Sequence, residues 1–262
     1  MSISGGKDST LTLVLALERY RESSVPVIPV FCDTGWEHPL TYDYLDKLEE
    51  ILGIRIIKIG REGGMRALIE KKKIFPSFRK RFCTWELKTK VFRNFLLELH
   101  EKTLFQKVEV WLGVRKDESP SRKNTEDFTL NPGIPHPKSG LKFPFPIKYL
   151  HPIKDLTEAE VRRELERRSI PLNSLYSMGF DRVGCYPCFL SSKSIVEVIK
   201  AGLKGDEFSK RRVEEIKELL GGKDRQLHLN YTLTQLVKRA ERELRNEEAR
   251  KRMLTLPFKR CR

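Results

Sequence analysis

Short apolar runs alternate with amphipathic stretches through the first half of the chain. The runs are rich in Val, Ile and aromatic residues, which predicts strands, and the stretches between them have the apolar spacing of helices. The predicted strands are residues 1–3, 25–32, 54–59 and 108–112. The predicted helices are residues 10–20, 40–52, 64–73 and 83–102. Strands separated by helices favour a doubly wound parallel sheet, so we predict an α/β fold.

The second half of the chain has a different character. Residues 120–152 contain seven prolines and few helix signals, which predicts a long connecting segment. Beyond it Thr157 and Glu160 fit a capping box at the start of a helix. The helices predicted here are residues 157–168, 191–203, 206–220 and 233–252. We expect a nucleotide-binding domain over residues 1–155 and a mostly helical C-terminal region over 156–262 that carries a C-x-x-C.

The stretch SGGKDS lies between the first predicted strand and the first predicted helix. Glycines there let the backbone approach an anion, and the first amides of the following helix have no internal partner. Lys7 adds a positive charge, and Ser4 and Ser9 offer hydroxyl groups. This pattern predicts a phosphate site, although Asp8 or Ser9 could simply cap the helix. Because a three-residue central strand is very short, we also expect the native chain to begin upstream of Met1.

Two further polar motifs follow predicted strands. FCDTGWEHP places Asp33 and Thr34 where the second strand ends, a position that suits contact with a ribose or adenine, or else a plain turn. GVRKDESPSR follows the fourth strand, where Arg115 and Arg122 could clamp a phosphate or sulfate and Glu118 could orient one of them. The alternative for this motif is a charged surface loop. Since ligands of parallel sheets bind beyond the carboxyl ends of the strands, we expect all three motifs to meet.

The chain has five cysteines, and an odd number without a signal peptide favours metal or redox chemistry over disulfides. Cys185 and Cys188 form a C-x-x-C, which fits zinc, an iron–sulfur cluster, dithiol chemistry or buried structural thiols. Cys83 lies in an electropositive stretch and is the natural third ligand. Cys261 is a candidate fourth ligand, and Cys32 is expected to be a small buried residue in its strand.

The charge of the chain favours polyanionic partners. The formal net charge is +15, and residues 71–93 hold nine Lys or Arg against a single acid, interleaved with aromatic residues. Residues 238–262 hold ten against four. The alternatives are a solvated helix face and a thermophilic surface. No run of 18 apolar residues is present, so we expect a cytoplasmic protein without a membrane partner.

These motifs together resemble the phosphoadenosine phosphosulfate (PAPS) reductase family of the PP-loop, or adenine nucleotide alpha hydrolase, superfamily. SGGKDS, FCDTGWEHPLTYDYL, GVRKDESPSR and IPLNSLYSMGFDRVGCYPC occur in the family's order across residues 1–200. The resemblance implies a Rossmann-like domain that binds an adenine nucleotide. It implies phosphate contacts from Ser4, Gly5, Gly6, Lys7, Asp8 and Ser9, nucleoside contacts from Asp33 and Thr34, and a phosphate or sulfate site at Arg115, Glu118, Ser119 and Arg122. It also matches Cys83, Cys185 and Cys188 to cysteines that hold a 4Fe-4S cluster, with zinc as the alternative metal.

The chain departs from this family in ways that bear on its reaction. Cluster-bearing members have paired cysteines where this chain has Cys83 followed by Thr84, and reductases carry a nucleophilic cysteine in a Glu-Cys-Gly signature where this chain has Cys261 in FKRCR. The intact SGGKDS, in contrast, favours cleavage of ATP to AMP and pyrophosphate.

We therefore expect an ATP- and Mg²⁺-dependent adenylation that involves Lys7 and Asp8. Sulfur would then pass from a donor such as a cysteine desulfurase to an anionic substrate, with DNA and tRNA as candidates. The first alternative is a reductase that forms sulfite from PAPS or adenylyl sulfate through Cys261 and a thioredoxin-like protein. The second is a nucleotide- or nucleic-acid-binding module without turnover.

Overall fold

The computed structural model describes residues 1–137, 139–228 and 230–255. Its first sheet is parallel, in the order β1-β2-β3, and consists of β1 (Ser2–Ile3), β2 (Val30–Asp33) and β3 (Ile57–Gly60). Ser2 pairs with Val30, and Val30 pairs with Ile57. Helices α1 (Lys7–Arg19) and α2 (Pro39–Leu52) make the crossovers that parallel strands require. The parallel sheet and the α/β class predicted from the sequence are confirmed.

The second strand begins later than the sequence pattern predicts. The apolar run starts at Val25, but β2 starts at Val30, directly after Pro29. A proline has no amide hydrogen for the ladder, although its carbonyl still accepts, and here Pro29 O accepts from the Ile57 amide at 2.9 Å. Pro26 and Pro29, which have no amide hydrogen to donate, therefore keep the strand from starting before Val30.

A second sheet corrects the prediction of a long connecting segment over residues 120–152. β4 (Val108–Trp111) pairs in parallel with β6 (Ile147–Leu150), and β5 (Phe128–Leu130) pairs antiparallel with the other edge of β6. The prolines of the segment flank these strands and do not interrupt them. Ile147 and Tyr149 are buried on either side of the exposed Lys148, which is the alternation of a half-buried strand.

The remaining elements are mostly helical. In chain order they are α3 (Gly64–Lys72), α4 (Phe82–Thr84), α5 (Lys90–Thr103), α6 (Glu158–Arg167), α7 (Ser192–Leu203), α8 (Glu207–Leu219), the hairpin of β7 (Gln226–His228) and β8 (Tyr231–Thr232), and α9 (Leu233–Thr255). One turn of π-helix, Trp85–Thr89, joins α4 to α5 within the helix predicted over residues 83–102. None of the described helices is long and apolar enough to cross a bilayer.

Two cores connect the halves of the chain. In one, Leu11 of α1 and Leu45 of α2 pack with Val161 and Leu165 of α6. In the other, residues of the first half pack with α7 and α9; its members include Trp36, Met65, Leu87, Ile195 and Leu236. Helices after residue 155 therefore complete cores to which residues before 155 also contribute. The domain boundary between residues 155 and 156 stays a prediction.

Candidate functional site

The Ser4–Ser9 loop forms a turn between β1 and the N-terminus of α1. Gly5 has a φ of +74°, and a Cβ there would lie 3.0 Å from the Thr41 methyl carbon, so both the backbone and the space require glycine. The Ser9 hydroxyl accepts from the Ser4 amide at 3.1 Å and donates to the Gly6 carbonyl at 2.9 Å. Gly6 is the N-cap residue and has no side chain to cap the helix. An uncapped helix N-terminus is suited to bind an anion.

A cavity of about 510 Å³ opens in front of this loop. It is lined by the loop, by the segment after β4, by the start of α6 and by the segment that precedes the C-x-x-C. The lining residues are Ser4, Gly6, Lys7, Asp8, Ser9, Gly113, Arg115, Asp117, Glu118, Arg122, Glu158, Tyr176, Asp181, Arg182 and Val183. The first and third motifs singled out from the sequence therefore meet, although the strands before them, β1 and β4, belong to different sheets.

The side chain of Lys7 is almost fully buried and is held by oxygen atoms. Its Nζ lies 3.5 Å from a carboxylate oxygen of Glu158, 3.9 Å from Asp8 and 3.5 Å from the Asp181 carbonyl. The Lys7 amide donates to the Tyr176 hydroxyl at 3.0 Å, and the Lys7 ammonium lies 5.1 Å from the centre of the Tyr176 ring. The amine is thus fixed at the mouth of the loop.

The partly buried Asp8 and the buried Arg115 form an ion pair beside the cavity. Arg115 is 4% exposed, and its Nε donates to Asp8 Oδ1 at 2.6 Å while its Nη1 donates to Asp117. Burial raises the pKa of Asp8 above its ordinary value, and the charges of Lys7 and Arg115 oppose that rise. Arg115 therefore neutralises Asp8 in the absence of a ligand.

The rest of the third motif is also engaged in ion pairs. Arg122 donates to Glu118, and Arg182 reaches the other oxygen of Glu118 at 3.6 Å. Ser119 is not part of the cavity lining; its hydroxyl lies 3.0 Å from that of Ser121. Anion binding by Arg115 and Arg122 stays a prediction, and both would have to exchange carboxylates for the ligand.

The second motif lies outside the cavity and forms a hydrogen-bonded turn. Asp33 accepts from the Gly35 amide and from the Tyr42 hydroxyl, both at 2.8 Å. Thr34 is fully buried and donates from its hydroxyl to Glu37 at 2.7 Å. The Asp33 and Thr34 side chains are therefore engaged within the turn itself in the absence of a ligand. Their contacts with a nucleoside stay a prediction.

Of the predicted metal ligands, Cys185 contacts this turn. Cys185 Sγ is 3.6 Å from the Thr34 hydroxyl, and burial raises the Cys185 pKa to about 11 although the charge of Lys88 opposes the rise. Burial also raises the pKa of Cys83, with a smaller contribution from Cys188. Lys88 therefore provides a positive charge beside Cys83 and Cys185, and the raised pKa values of these two thiols favour their neutral form.

The four cysteines of the described part of the chain are free. Cys32 lies in β2 as predicted but is only partly buried, with its Sγ 3.9 Å from the Lys88 carbonyl. No group of three His, Cys, Asp or Glu side chains within the described residues is close enough to hold a metal ion. Cys83, Cys185 and Cys188 thus do not form a preassembled site for a cluster or for zinc. Cys261 lies outside the described residues.

Several cavity residues were not predicted from the sequence. Tyr176 and Asp181 belong to the family motif IPLNSLYSMGFDRVGCYPC, in which the sequence analysis assigns roles only to the cysteines, and Glu158 is assigned only to a helix. Gly113 was seen as the first residue of a motif, without a role. A Cβ at this position would lie 2.7 Å from the Ser9 amide nitrogen, so glycine allows the end of β4 to touch the start of α1.

Comparisons with known proteins agree on the family of this chain. A family profile described as the phosphoadenosine phosphosulfate reductase domain matches residues 1–191. An uncharacterised 37.8 kDa protein of Escherichia phage 186 is 31% identical across 74% of this chain and 67% of its own length. The adenosine 5'-phosphosulfate reductase of Pseudomonas aeruginosa LESB58 is 26% identical across 60% of this chain and 55% of its own. The chain thus spans only about half of that reductase.

Among solved structures, the FMN adenylyltransferase of Candida glabrata aligns with a TM-score of 0.50. The alignment covers 71% of this chain and 52% of the adenylyltransferase, at 16% sequence identity. A likeness at this level of identity shows a shared fold and no more.

Proposed function

Because this chain belongs to the phosphoadenosine phosphosulfate reductase family, we propose that it binds an adenine nucleotide in the cavity at Ser4–Ser9 and uses ATP to adenylate an anionic acceptor for sulfur transfer. The acceptor oxygen attacks the α-phosphorus, and the bond to pyrophosphate breaks. The terminal sulfur of a donor persulfide, such as that of a cysteine desulfurase, then displaces AMP from the activated carbon or phosphorus atom and leaves the acceptor joined to the donor through an S–S bond. A thiol reductant cleaves this bond by exchange, which supplies the two electrons and releases the thiolated acceptor. DNA and tRNA are the proposed acceptor classes, because the net charge of +15 favours polyanions.

The observation that carries this proposal is the charge of the cavity. Its lining contains the cations Lys7, Arg115, Arg122 and Arg182. It also contains five acids, which are Asp8, Asp117, Glu118, Glu158 and Asp181. So many carboxylates would repel a bare triphosphate. A phosphate chain neutralised by a divalent cation removes that repulsion.

The residues present fit Mg²⁺. This ion is typically held by one or two carboxylates together with substrate phosphates, so it does not need three protein ligands. Asp8 would hold it, and the ion would supply charge neutralisation at the phosphates. The thiols do not fit a preassembled cluster, and no step of the proposed reaction involves one.

The chain's own residues would act mainly by electrostatics. The Lys7 ammonium and the first amides of α1 would stabilise the charge that develops on the leaving pyrophosphate. Arg115 would release Asp8 to the metal and turn to the phosphates, which needs only a local exchange of ion pairs. Tyr176, hydrogen-bonded to the Lys7 amide, would hold the loop in position.

A second candidate is reduction of a sulfonucleotide, favoured by relatives that bear the name of adenosine 5'-phosphosulfate reductase. In that reaction Cys261 would attack the sulfur, AMP or its 3'-phosphate would leave, and a thioredoxin-like protein would release sulfite by thiol exchange. The reductase cavity would need no divalent cation.

Calorimetric titration with ATP, with and without Mg²⁺, tests the choice together with assays for pyrophosphate and sulfite. We expect ATP binding that requires Mg²⁺ and that weakens at least about tenfold in Lys7→Ala and Asp8→Asn. Lys47→Ala, which removes an exposed lysine of α2, should change nothing. Sulfite formed from adenylyl sulfate without Mg²⁺ and without need of Lys7 would support the reductase. Nucleotide binding with neither product would leave a binding module.

A further inference from the structure

The segment of residues 71–81, which we call the basic turn, has a charge that the fold does not compensate. Its six exposed cations are Lys71, Lys72, Lys73, Arg79, Lys80 and Arg81. Acidic side chains pair with the preceding cations Arg61 and Arg66, for example Arg61 with Glu86 at 3.1 Å, but none of the ion pairs among the described residues involves the basic turn. Lys71 and Lys72 lie in the last turn of α3, where they complement the helix dipole. No helix end explains the three cations at 79–81.

The tip of the basic turn displays an aromatic side chain. The Ser77 amide donates to the Lys80 carbonyl at 3.2 Å and the Lys80 amide donates to the Ser77 carbonyl at 3.0 Å, which places Phe78 and Arg79 at the tip. Phe78 is 65% exposed, the most exposed aromatic residue among the described large apolar side chains. Its neighbour Phe75 packs on Phe189 at a centroid distance of 5.0 Å and anchors the turn. The turn is therefore held in place while Phe78 remains uncovered.

The surroundings extend this surface on both sides. Trp85, four residues beyond Arg81, is 38% exposed at the start of the π-helical turn Trp85–Thr89. On the other side, a groove of about 640 Å³ separates the basic turn from the segment that leads into β7, and its lining includes Lys73, Lys80 and Arg225.

The acids in the lining of this groove are Glu70 and Glu218, and both pair with Arg66, at 3.2 and 3.4 Å. Arg66 also pairs with Glu215, so it only partly offsets these acids. The net charge of the groove is nevertheless positive, because its lining contains the four cations Arg66, Lys73, Lys80 and Arg225 against these two acids.

We propose that the basic turn binds single-stranded nucleic acid, with phosphates along its cations and groove and an unpaired base stacked on Phe78. Cations alone would suit any polyanion, but a base offers a flat π-face to an exposed aromatic ring, and stacking of this kind is sequence-tolerant. A duplex would hide its bases from Phe78. This binding does not depend on the reaction proposed above. A negative result in the binding assay would therefore contradict only this proposal, and a negative result in the activity assays would contradict only the proposed reaction.

Fluorescence anisotropy with labelled DNA and RNA strands of about 12 nucleotides tests the proposal. We expect Arg79→Gln/Lys80→Gln/Arg81→Gln to weaken binding about tenfold or more. The slope of log affinity against log salt should fall by about two, since each phosphate contact on a single strand contributes about 0.7. Lys47→Gln/Lys107→Gln/Lys142→Gln makes the same change in net charge at exposed sites elsewhere and should stay within about twofold.

Phe78→Ala isolates the stacking contact. It should weaken single-strand binding about tenfold, with no change for heparin, which has no bases. Val25→Ala, at another exposed apolar residue, should have no effect. An equal loss of affinity in the two triple variants would overturn the proposal, because it would show that binding depends on the net charge of the protein and not on the basic turn. An unchanged affinity in Phe78→Ala, a duplex bound as tightly as a strand, or Phe78-dependent binding to phosphatidylserine vesicles would overturn it as well.

Discussion

At the scale of single residues, Gly113 allows the segment after β4 to approach the start of α1. Its α-carbon faces the backbone of α1, where an added Cβ would lie 2.7 Å from the Ser9 nitrogen and 2.8 Å from the Asp8 carbonyl oxygen. Backbone atoms cannot move aside as a flexible side chain can. Any side chain at 113 would therefore push the end of β4 away from the phosphate loop.

We expect Gly113→Ala to lower the free energy of unfolding by about 1–3 kcal/mol and to weaken nucleotide binding at least about tenfold. Thermal unfolding and calorimetric titration would measure the two effects. Gly133→Ala is the control, because Gly133 has a φ of +77° with open space around it. Gly133→Ala should lower the free energy of unfolding by about 1 kcal/mol, because of backbone strain, and should leave nucleotide affinity unchanged. Normal affinity in Gly113→Ala would show that the contact does not shape the cavity.

Glu197 of α7 is a residue whose charge opposes folding. Burial, together with the nearby charge of Asp181, raises its pKa from 4.5 to about 7, while Lys193 and Lys200 oppose the rise. The folded state therefore binds the proton more tightly than the unfolded state. The contribution of Glu197 to stability is greatest below pH 4.5 and is lost as the pH rises toward 7.

Glu197→Gln should match the wild-type stability at low pH and exceed it by about 1–2 kcal/mol at pH 8, after allowance for solvent screening. Denaturant midpoints of both proteins, measured across this pH range, would give the difference in stability at each pH. The contributions of all other titrating groups are common to both proteins and cancel in this difference. A constant difference at every pH would mean that the substitution acts through packing and not through charge.

At the scale of elements, the start of α6 links a cap to the nucleotide cavity. The Thr157 hydroxyl accepts from the Glu160 amide at 3.3 Å, and the Glu160 carboxylate accepts from the Thr157 amide at 2.7 Å, so the predicted capping box is confirmed. Glu158, the residue after Thr157, pairs with Lys7. Val161 is fully buried in the core that also contains Leu11 and Leu45. The cap therefore orients a helix that serves both core and cavity.

Thr157→Ala should lower the free energy of unfolding by about 1 kcal/mol, since it removes one side-chain acceptor at the helix start. Thr157→Ser keeps the hydroxyl and should remain close to wild type. Urea unfolding of the three proteins, compared at one pH, would measure this. A serine variant as unstable as the alanine variant would assign the effect to the lost methyl group.

At the scale of the whole molecule, the cores make the two halves of the chain interdependent. Leu236 of α9 is fully buried in the core that also contains Trp36 and Leu87 from the first half. A core shared in this way should melt together with the elements on both sides of it.

We therefore expect Leu236→Ala to destabilise the entire molecule by about 2–5 kcal/mol in a single transition. Tryptophan fluorescence and far-ultraviolet circular dichroism should report the same shifted midpoint. Leu203→Ala, at a residue that is 51% exposed on α7, is the control and should have little effect. Two separate transitions, of which only one shifts, would instead support independent domains on either side of residue 155.

Local signals in the sequence were sufficient for much of this description. Alternating apolar periods predicted the strands and helices of the first half, because each period reflects one buried face. SGGKDS and GVRKDESPSR were identified as site motifs since glycine, hydroxyl and charged groups at strand ends have few structural reasons to occur together. The same motifs identified the family, as the matched profile confirms.

Other features depend on contacts between residues far apart in the chain, and only the tertiary structure decided them. β6 pairs with β4 across many intervening residues, so its short, proline-flanked pattern carried no sign of its partner. The engagement of Lys7 by Glu158 and of Asp8 by Arg115 depends on how elements pack, as does the contact at Gly113. The sequence by itself determined the fold class, the family and the motifs of the candidate site, because those signals are local. Packing alone decided which charges face one another and which, as in the basic turn, face none.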